Sequence, residues 1–98
     1  MIDLVQTEEF GEWLRRLKDI DARARINVRL TRIALTGNLG DTKPVGDGVY
    51  ELRIDYGPGY RVYYSQRGRG ILLLLIGGDK SSQQKDIEKA KKINTEYE

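Results

Sequence analysis

The chain contains no cysteine, which excludes a disulfide framework, a thiol nucleophile and a thiolate metal site. It contains no histidine either. Imidazole ligation of a metal is therefore absent, and any acid–base chemistry falls to Asp, Glu, Lys or Tyr. The carboxylates show neither EF-hand spacing nor a paired-acid pattern, so no metal site and no cofactor is expected. No apolar run comes near the roughly 20 residues that a membrane-spanning helix needs, and no N-terminal signal pattern is seen. A soluble cytoplasmic protein is the expectation. Internal repeats, linkers and low-complexity segments are also missing, and 98 residues suit one domain spanning 1–98 with one modest core. The net charge is only +2. The excess falls wholly within residues 43–80, which carry six basic and four acidic side chains. That distribution leans weakly toward a polyanionic partner.

The stretch from Gly48 to Lys80 organises the rest. Its apolar runs, Val49–Tyr56, Tyr60–Ser65 and Ile71–Ile76, are separated by Gly57-Pro58-Gly59 and Gly68-Arg69-Gly70. Short glycine-rich breaks between β-rich runs predict an antiparallel meander of three strands. Alternation sets Tyr50, Leu52, Ile54 and Tyr56 on one face and Glu51, Arg53 and Asp55 on the other. In the second strand Tyr60, Val62 and Tyr64 oppose Arg61 and Tyr63. Symmetric closure of the first loop would set Arg53 across from Tyr63 and Asp55 across from Arg61. One face is then greasy, and the other carries Arg53, Arg61 and Tyr63. The third run is apolar on both sides, as expected of a strand covered on both faces.

Before the meander, Ile2–Gln6 reads as a short strand. Thr7 caps a helix whose apolar stripe is Phe10, Trp13, Leu14 and Leu17. Asp19 or Asp21 opens a second helix, with Ala22, Ile26, Leu30 and Ile33 inward and Gly37 as its stop. Its four arginines, Arg23, Arg25, Arg29 and Arg32, read as a solvated face. Asn38–Asp47 is rich in turn formers and reads as a loop. After the meander, Ser81 or Ser82 caps a last helix with a weak stripe of Ile87 and Ala90, extended by Ile93 or Asn94. Loose docking and a fraying end near Tyr97 are expected. Gly77-Gly78-Asp79-Lys80-Ser81 lacks the full phosphate-loop spacing, so nucleotide hydrolysis is excluded.

Four cations and a phenol are candidates for chemistry. Arg53 and Arg61 share a sheet face, Lys43 precedes the meander, Lys80 follows it, and Tyr63 lies between the arginines. Arginine and lysine hold phosphate oxygens, and tyrosine stacks on bases. The competing reading is structural, with Arg61 paired to Asp55 and Arg53 to Glu51 or to solvent.

The runs KPVGDGVYELRIDYGPGYRVYY and LLLLIGGDKSSQQKDIEKA, with the F-x-x-W-L pattern of Phe10, Trp13 and Leu14, resemble the RelE/ParE superfamily of toxins from bacterial toxin–antitoxin modules. Within it the likeness is to the HigB-like addiction module killer group, and it covers nearly the whole chain. The resemblance implies an α+β fold, a small antiparallel-rich sheet with a two-helix hairpin on one face and a C-terminal helix. It implies a metal-independent endoribonuclease that cuts messenger RNA in the ribosomal A site, where basic residues stabilise charge as the 2′-hydroxyl attacks the adjacent phosphate. By motif position Arg61, Arg53 and Lys80 would be catalytic, with Lys43 and Tyr63 binding RNA. The implied partners are a cognate antitoxin, typically a small helix-turn-helix protein, and the ribosome with its message. No membrane and no small-molecule cofactor is implied. RelE-like members place a Tyr after the last strand, and some HigB members a His; Gln83-Gln84-Lys85-Asp86-Ile87 offers neither. Other branches of the superfamily bind DNA gyrase, and an inactive homologue would only bind its antitoxin.

Overall fold

The computed structural model describes residues 1–97. Its elements are β1 (Asp3–Gln6), α1 (Glu8–Arg16), α2 (Ile20–Thr36), β2 (Thr42–Gly46), β3 (Val49–Ile54), β4 (Tyr60–Gly68), β5 (Ile71–Asp79), a 3-10 turn (Lys80–Ser82) and α3 (Gln83–Glu96). Local chemistry sets the helix ends. The Thr7 hydroxyl accepts from the Phe10 amide at 3.0 Å, and the Asp19 carboxylate accepts from the Ala22 amide at 3.1 Å. Each satisfies an amide that the first turn leaves free. Gly37 closes α2 at φ 74°, a left-handed conformation that glycine adopts without penalty.

The five strands lie in the order β1-β5-β4-β3-β2, with β1 parallel to β5 and the rest antiparallel. Alternation gives the sheet two apolar faces. Leu52, Ile54, Tyr60, Val62, Tyr64, Leu72 and Leu74 pack with Phe10, Ala22, Ile26, Leu30 and Ile33 of the helical hairpin. On the reverse, Val49, Tyr63, Leu73, Leu75 and Ile76 pack with Ala90 and Ile93 of α3. The α+β expectation and the hairpin-covered greasy face are thus observed, and β5 is covered on both sides. Among the described residues no helix is long and apolar enough to cross a membrane.

Four expectations need correction. Thr42–Gly46, read as loop, is an edge strand paired with β3. Pro44 fits there because an edge position asks for no inward amide, and the register shifts between Pro44 and Gly46. The β3–β4 register is two residues away from symmetric closure. Ile54 pairs with Tyr60 and Arg53 with Arg61, so Asp55 and Tyr56 leave the ladder and the loop has five residues rather than three. The cationic face is not open along its length, because α3 covers much of it. Nor is the end of α3 loose. Arg67 on β4 donates to the Asn94 carbonyl and side chain at 2.7 Å each and to the Tyr97 carbonyl, satisfying acceptors that a helix end leaves free. The Tyr97 hydroxyl donates to Glu9 at 3.2 Å.

Gly77 and Gly78 have a steric purpose. A Cβ at Gly77 would overlap the Trp13 ring of α1, and one at Gly78 would overlap the Asp86 carboxylate of α3. Successive residues of β5 point to opposite faces, so the pair lets a helix approach the sheet closely on either side.

Candidate active site

The β3–β4 hairpin builds the site. Its register sets Arg53 directly opposite Arg61. Two like charges across a ladder repel, and each is met by a different carboxylate. Arg53 donates to Asp41 Oδ1 from Nε at 3.3 Å and from Nη2 at 3.0 Å. Arg61 turns its Nε toward Glu51 Oε1 at 3.5 Å and donates from Nη1 to the Gly59 carbonyl at 2.7 Å. Gly59 has φ 80°, and a Cβ there would lie 3.1 Å from Arg61 Nη1. Glycine therefore supplies both the turn and the approach to the guanidinium.

Arg53, Arg61 and Lys80 line one open cleft of about 420 Å³, with Asp41, Asp55 and the Gly57-Pro58-Gly59 turn completing its wall. Lys80 is exposed and makes no ion pair among the described residues. The turn that carries it is held by Asp79, whose carboxylate accepts from the Ser81 amide at 2.8 Å. Arg29 of α2 braces the other wall. It donates to the carbonyls of Arg53 at 2.7 Å, Leu39 at 3.0 Å and Asp41 at 3.4 Å. Burial pushes the Arg29 pKa down, and the nearby Asp41 charge opposes that shift. One of the four α2 arginines is thus a structural brace rather than a solvated side chain.

The other two candidates lie elsewhere. Tyr63 is fully buried, with no face free for a base. Its hydroxyl donates to Glu51 Oε1 at 3.3 Å. Lys43, on β2, lies across from Glu51, with Nζ 3.9 Å from Oε2. Neither lines the cleft. The expected Arg61–Asp55 pair does not form. Glu51 takes that place, because the shifted register carries Asp55 into the loop and leaves Glu51 two residues from Arg53 on the same face. Sequence reasoning weighed Glu51 only as a partner for Arg53. Alternation set it on the face of Tyr63 and Arg61, and the register brought it beside them. Asp41 gave no such signal, being in an irregular segment.

Burial is the first cause that raises the tyrosine pKa at Tyr60, Tyr63 and Tyr64; at Tyr63 the Glu51 charge raises it further. The native state therefore keeps these protons after an unfolded chain has lost them. Their contribution to stability is complete below the ordinary value of 10.0 and is lost progressively as pH rises above it. In alkaline ultraviolet titration, Tyr60, Tyr63 and Tyr64 are expected to resist ionisation near that value. The buried three should ionise higher, with the onset of unfolding. Ionisation of these three near pH 10 in folded protein would contradict this.

The family described as Phage derived protein Gp49-like (DUF891) matches residues 12–98. An uncharacterized protein of Haemophilus influenzae is 48% identical over 95 residues, which is 97% of this chain and 95% of that protein. Among solved structures, a mutant of the E. coli toxin RelE in the free state superposes with a TM-score of 0.71 at 18% identity, over 94% of this chain and 97% of that one. A chain of the intact E. coli RelBE toxin–antitoxin complex gives 0.66 at 17% identity, over 81% and 96%. At these identities the likeness is one of fold.

Proposed function

The chain belongs to the Gp49-like family, and from that membership and its RelE-type fold we propose that it is the toxin of a type II toxin–antitoxin module, acting as a ribosome-dependent endoribonuclease on messenger RNA. The RelE-like resemblance of its motifs is upheld by family and fold together. The observation that carries the chemistry is the convergence of Arg53, Arg61 and Lys80 on one cleft.

Such a cleft suits a phosphodiester. The RNA 2′-oxygen attacks the adjacent phosphorus, the bond from phosphorus to the 5′-oxygen breaks, and a 2′,3′-cyclic phosphate and a 5′-hydroxyl remain. Negative charge builds on the phosphoryl oxygens as the bond forms. Preorganised cations stabilise that charge without reorganising at the moment of reaction. Arg61, held at Nη1 by the Gly59 carbonyl and drawn at Nε toward the Glu51 charge, is the preorganised one. Lys80 is the mobile one, free to follow the phosphate and to donate a proton to the departing 5′-oxygen. Asp55 lines the cleft without an ion pair among the described residues, and takes the proton of the 2′-hydroxyl. The ribosome supplies the alignment of the message. A cognate antitoxin would silence the protein by covering this cleft.

Primer extension on a defined messenger RNA in a reconstituted translation system tests the reading. New 5′ ends within A-site codons, absent without ribosomes, are expected. An intact message would overturn it. One observation favours a second reading, a homologue that only binds its antitoxin: Asp41 and Glu51 already neutralise the two arginines. Tight antitoxin binding with no cleavage would establish that alternative. Lys80→Ala is expected to weaken RNA binding in all sequence contexts. Plots of log K against log salt should become shallower by about 0.7, the contribution of one phosphate contact on a single strand.

A further inference from the structure

Glu51 has no exposed surface, yet it sits in the middle of the sheet face that carries the cations. The side chains that meet its carboxylate are donors. Oε1 accepts from Gln83 Nε2 at 2.8 Å and from the Tyr63 hydroxyl at 3.3 Å. Arg61 Nε lies 3.5 Å from the same oxygen, and Lys43 Nζ lies 3.9 Å from Oε2. The residue thus ties β2, β3, β4 and the start of α3 together at one carboxylate.

Stability does not account for that choice. Glu51 Oε2 and Arg61 Nε are both buried without a well-formed hydrogen bond. Desolvating a carboxylate and a guanidinium is costly, and apolar residues of similar volume often serve as well or better. Apolar surroundings were available, since Val49, Leu75 and Ile76 pack on the same face. What the arrangement does is hold one guanidinium. Arg61 is 9% exposed, with Nε toward Glu51 and Nη1 on the Gly59 carbonyl. Nη2 makes no hydrogen bond to the described residues, and it is not among the buried orphan atoms.

We propose that Glu51 is a positioning residue for Arg61, fixing the Nε side of the guanidinium so that Nη2 is presented to a phosphate oxygen in the cleft. Glu51 does not line the cleft itself, so it acts through Arg61. Gln83 and Tyr63 in turn hold the carboxylate, which makes the docking of α3 part of the site. The inference rests on the nuclease reading, because a guanidinium needs this precision only if a reacting group must meet it.

The test uses full-length protein and Glu51→Gln, which keeps the shape and an acceptor but removes the charge. Cleavage is measured on programmed ribosomes, with a thermal melt as the folding control. Glu51→Gln is expected to lower kcat about 10- to 100-fold, in keeping with the cost of a small misplacement. KM should stay unchanged or fall, since a negative charge beside an anion site is lost. Added to Arg61→Ala, the same change should cost less than twofold more, because the residue it orients is gone. Equal kcat for Glu51→Gln and wild type, or independent losses in the double variant, would overturn the proposal. A second arm needs no activity. The Arg61 Nε–H of wild-type protein is expected to exchange slowly in ¹⁵N–¹H NMR, and fast in Glu51→Gln. Fast exchange in wild type would overturn the positioning role. Slow exchange in a protein that cleaves nothing would leave Arg61 held as described and sink the nuclease reading instead.

Discussion

Replacing Arg61 by alanine is expected to reduce ribosome-dependent RNA cleavage by about two to three orders of magnitude, the usual cost of removing one preorganised donor to a developing oxyanion. Growth inhibition should vanish with it. The loss should appear in kcat more than in KM, because a held guanidinium serves the transition state more than the bound message. Arg61→Lys should restore little, since a lysine lacks the planar fork that reaches the Glu51 side, the Gly59 carbonyl and the cleft together. The fold should survive. Glu51 keeps Gln83 and Tyr63 as donors and Lys43 as a nearby cation, so the stability loss should be about 1–3 kcal/mol. Asp55→Asn gives a useful contrast. It removes the proposed proton acceptor but touches none of the contacts that position Arg61, so it should lower cleavage at unchanged stability and unchanged RNA affinity. A folded Arg61→Ala protein with wild-type cleavage would remove Arg61 from the chemistry.

Gly77→Ala is expected to destabilise the fold strongly. The new Cβ would overlap the Trp13 ring, which packs against Phe10 with ring centroids 5.7 Å apart and against Tyr60 at 6.4 Å. The indole must move, and with it the seating of α1 on β5. Overpacking of this kind costs about 1–3 kcal/mol. In a domain of this size each kcal/mol lowers Tm by roughly 4–8 °C. Trp13→Leu combined with Gly77→Ala should recover part of the loss by vacating the space. Trp13→Leu alone should destabilise through lost packing. An unchanged Tm for Gly77→Ala would mean that α1 is not held against β5 as described. The same experiment separates two readings of the motif. A phosphate-cradling loop would answer glycine substitution with lost anion binding; a close-packing pair answers with lost stability.

Much of this protein was legible before any coordinates. The glycine breaks marked the meander, the alternation of Tyr50 to Ile54 and Tyr60 to Tyr64 divided its faces, and the i, i+3, i+4 spacing of Phe10, Trp13 and Leu14 aimed α1 at the greasy one. Thr7, Asp19 and Gly37 act at the helix ends where their side-chain or backbone chemistry placed them. These are local properties. A cap or an alternation is decided within a few residues and does not wait for the rest of the chain.

The failures share a physical cause as well. Pairing register depends on how a loop closes, and the five-residue turn around Gly57-Pro58-Gly59 shifted every β3–β4 partner by two. That slip keeps each side chain on its face, so the pattern could not detect it. Yet it decides that Arg61 meets Glu51 rather than Asp55. Edge strand β2 was hidden by Pro44, which breaks a central strand but not an edge. The narrow stripe of α3 undersold its docking, because Arg67, distant in sequence, holds its far end. Composition and strand alternation determined the α+β class and the absence of thiol and imidazole chemistry, and the resemblance of the motifs singled out Arg53, Arg61 and Lys80. Only the tertiary structure decided that these three share a cleft while Tyr63 is buried behind it, and that one unexposed carboxylate faces Arg61. Those outcomes depend on long-range pairing and on which helix covers which face, and neither is set by local sequence.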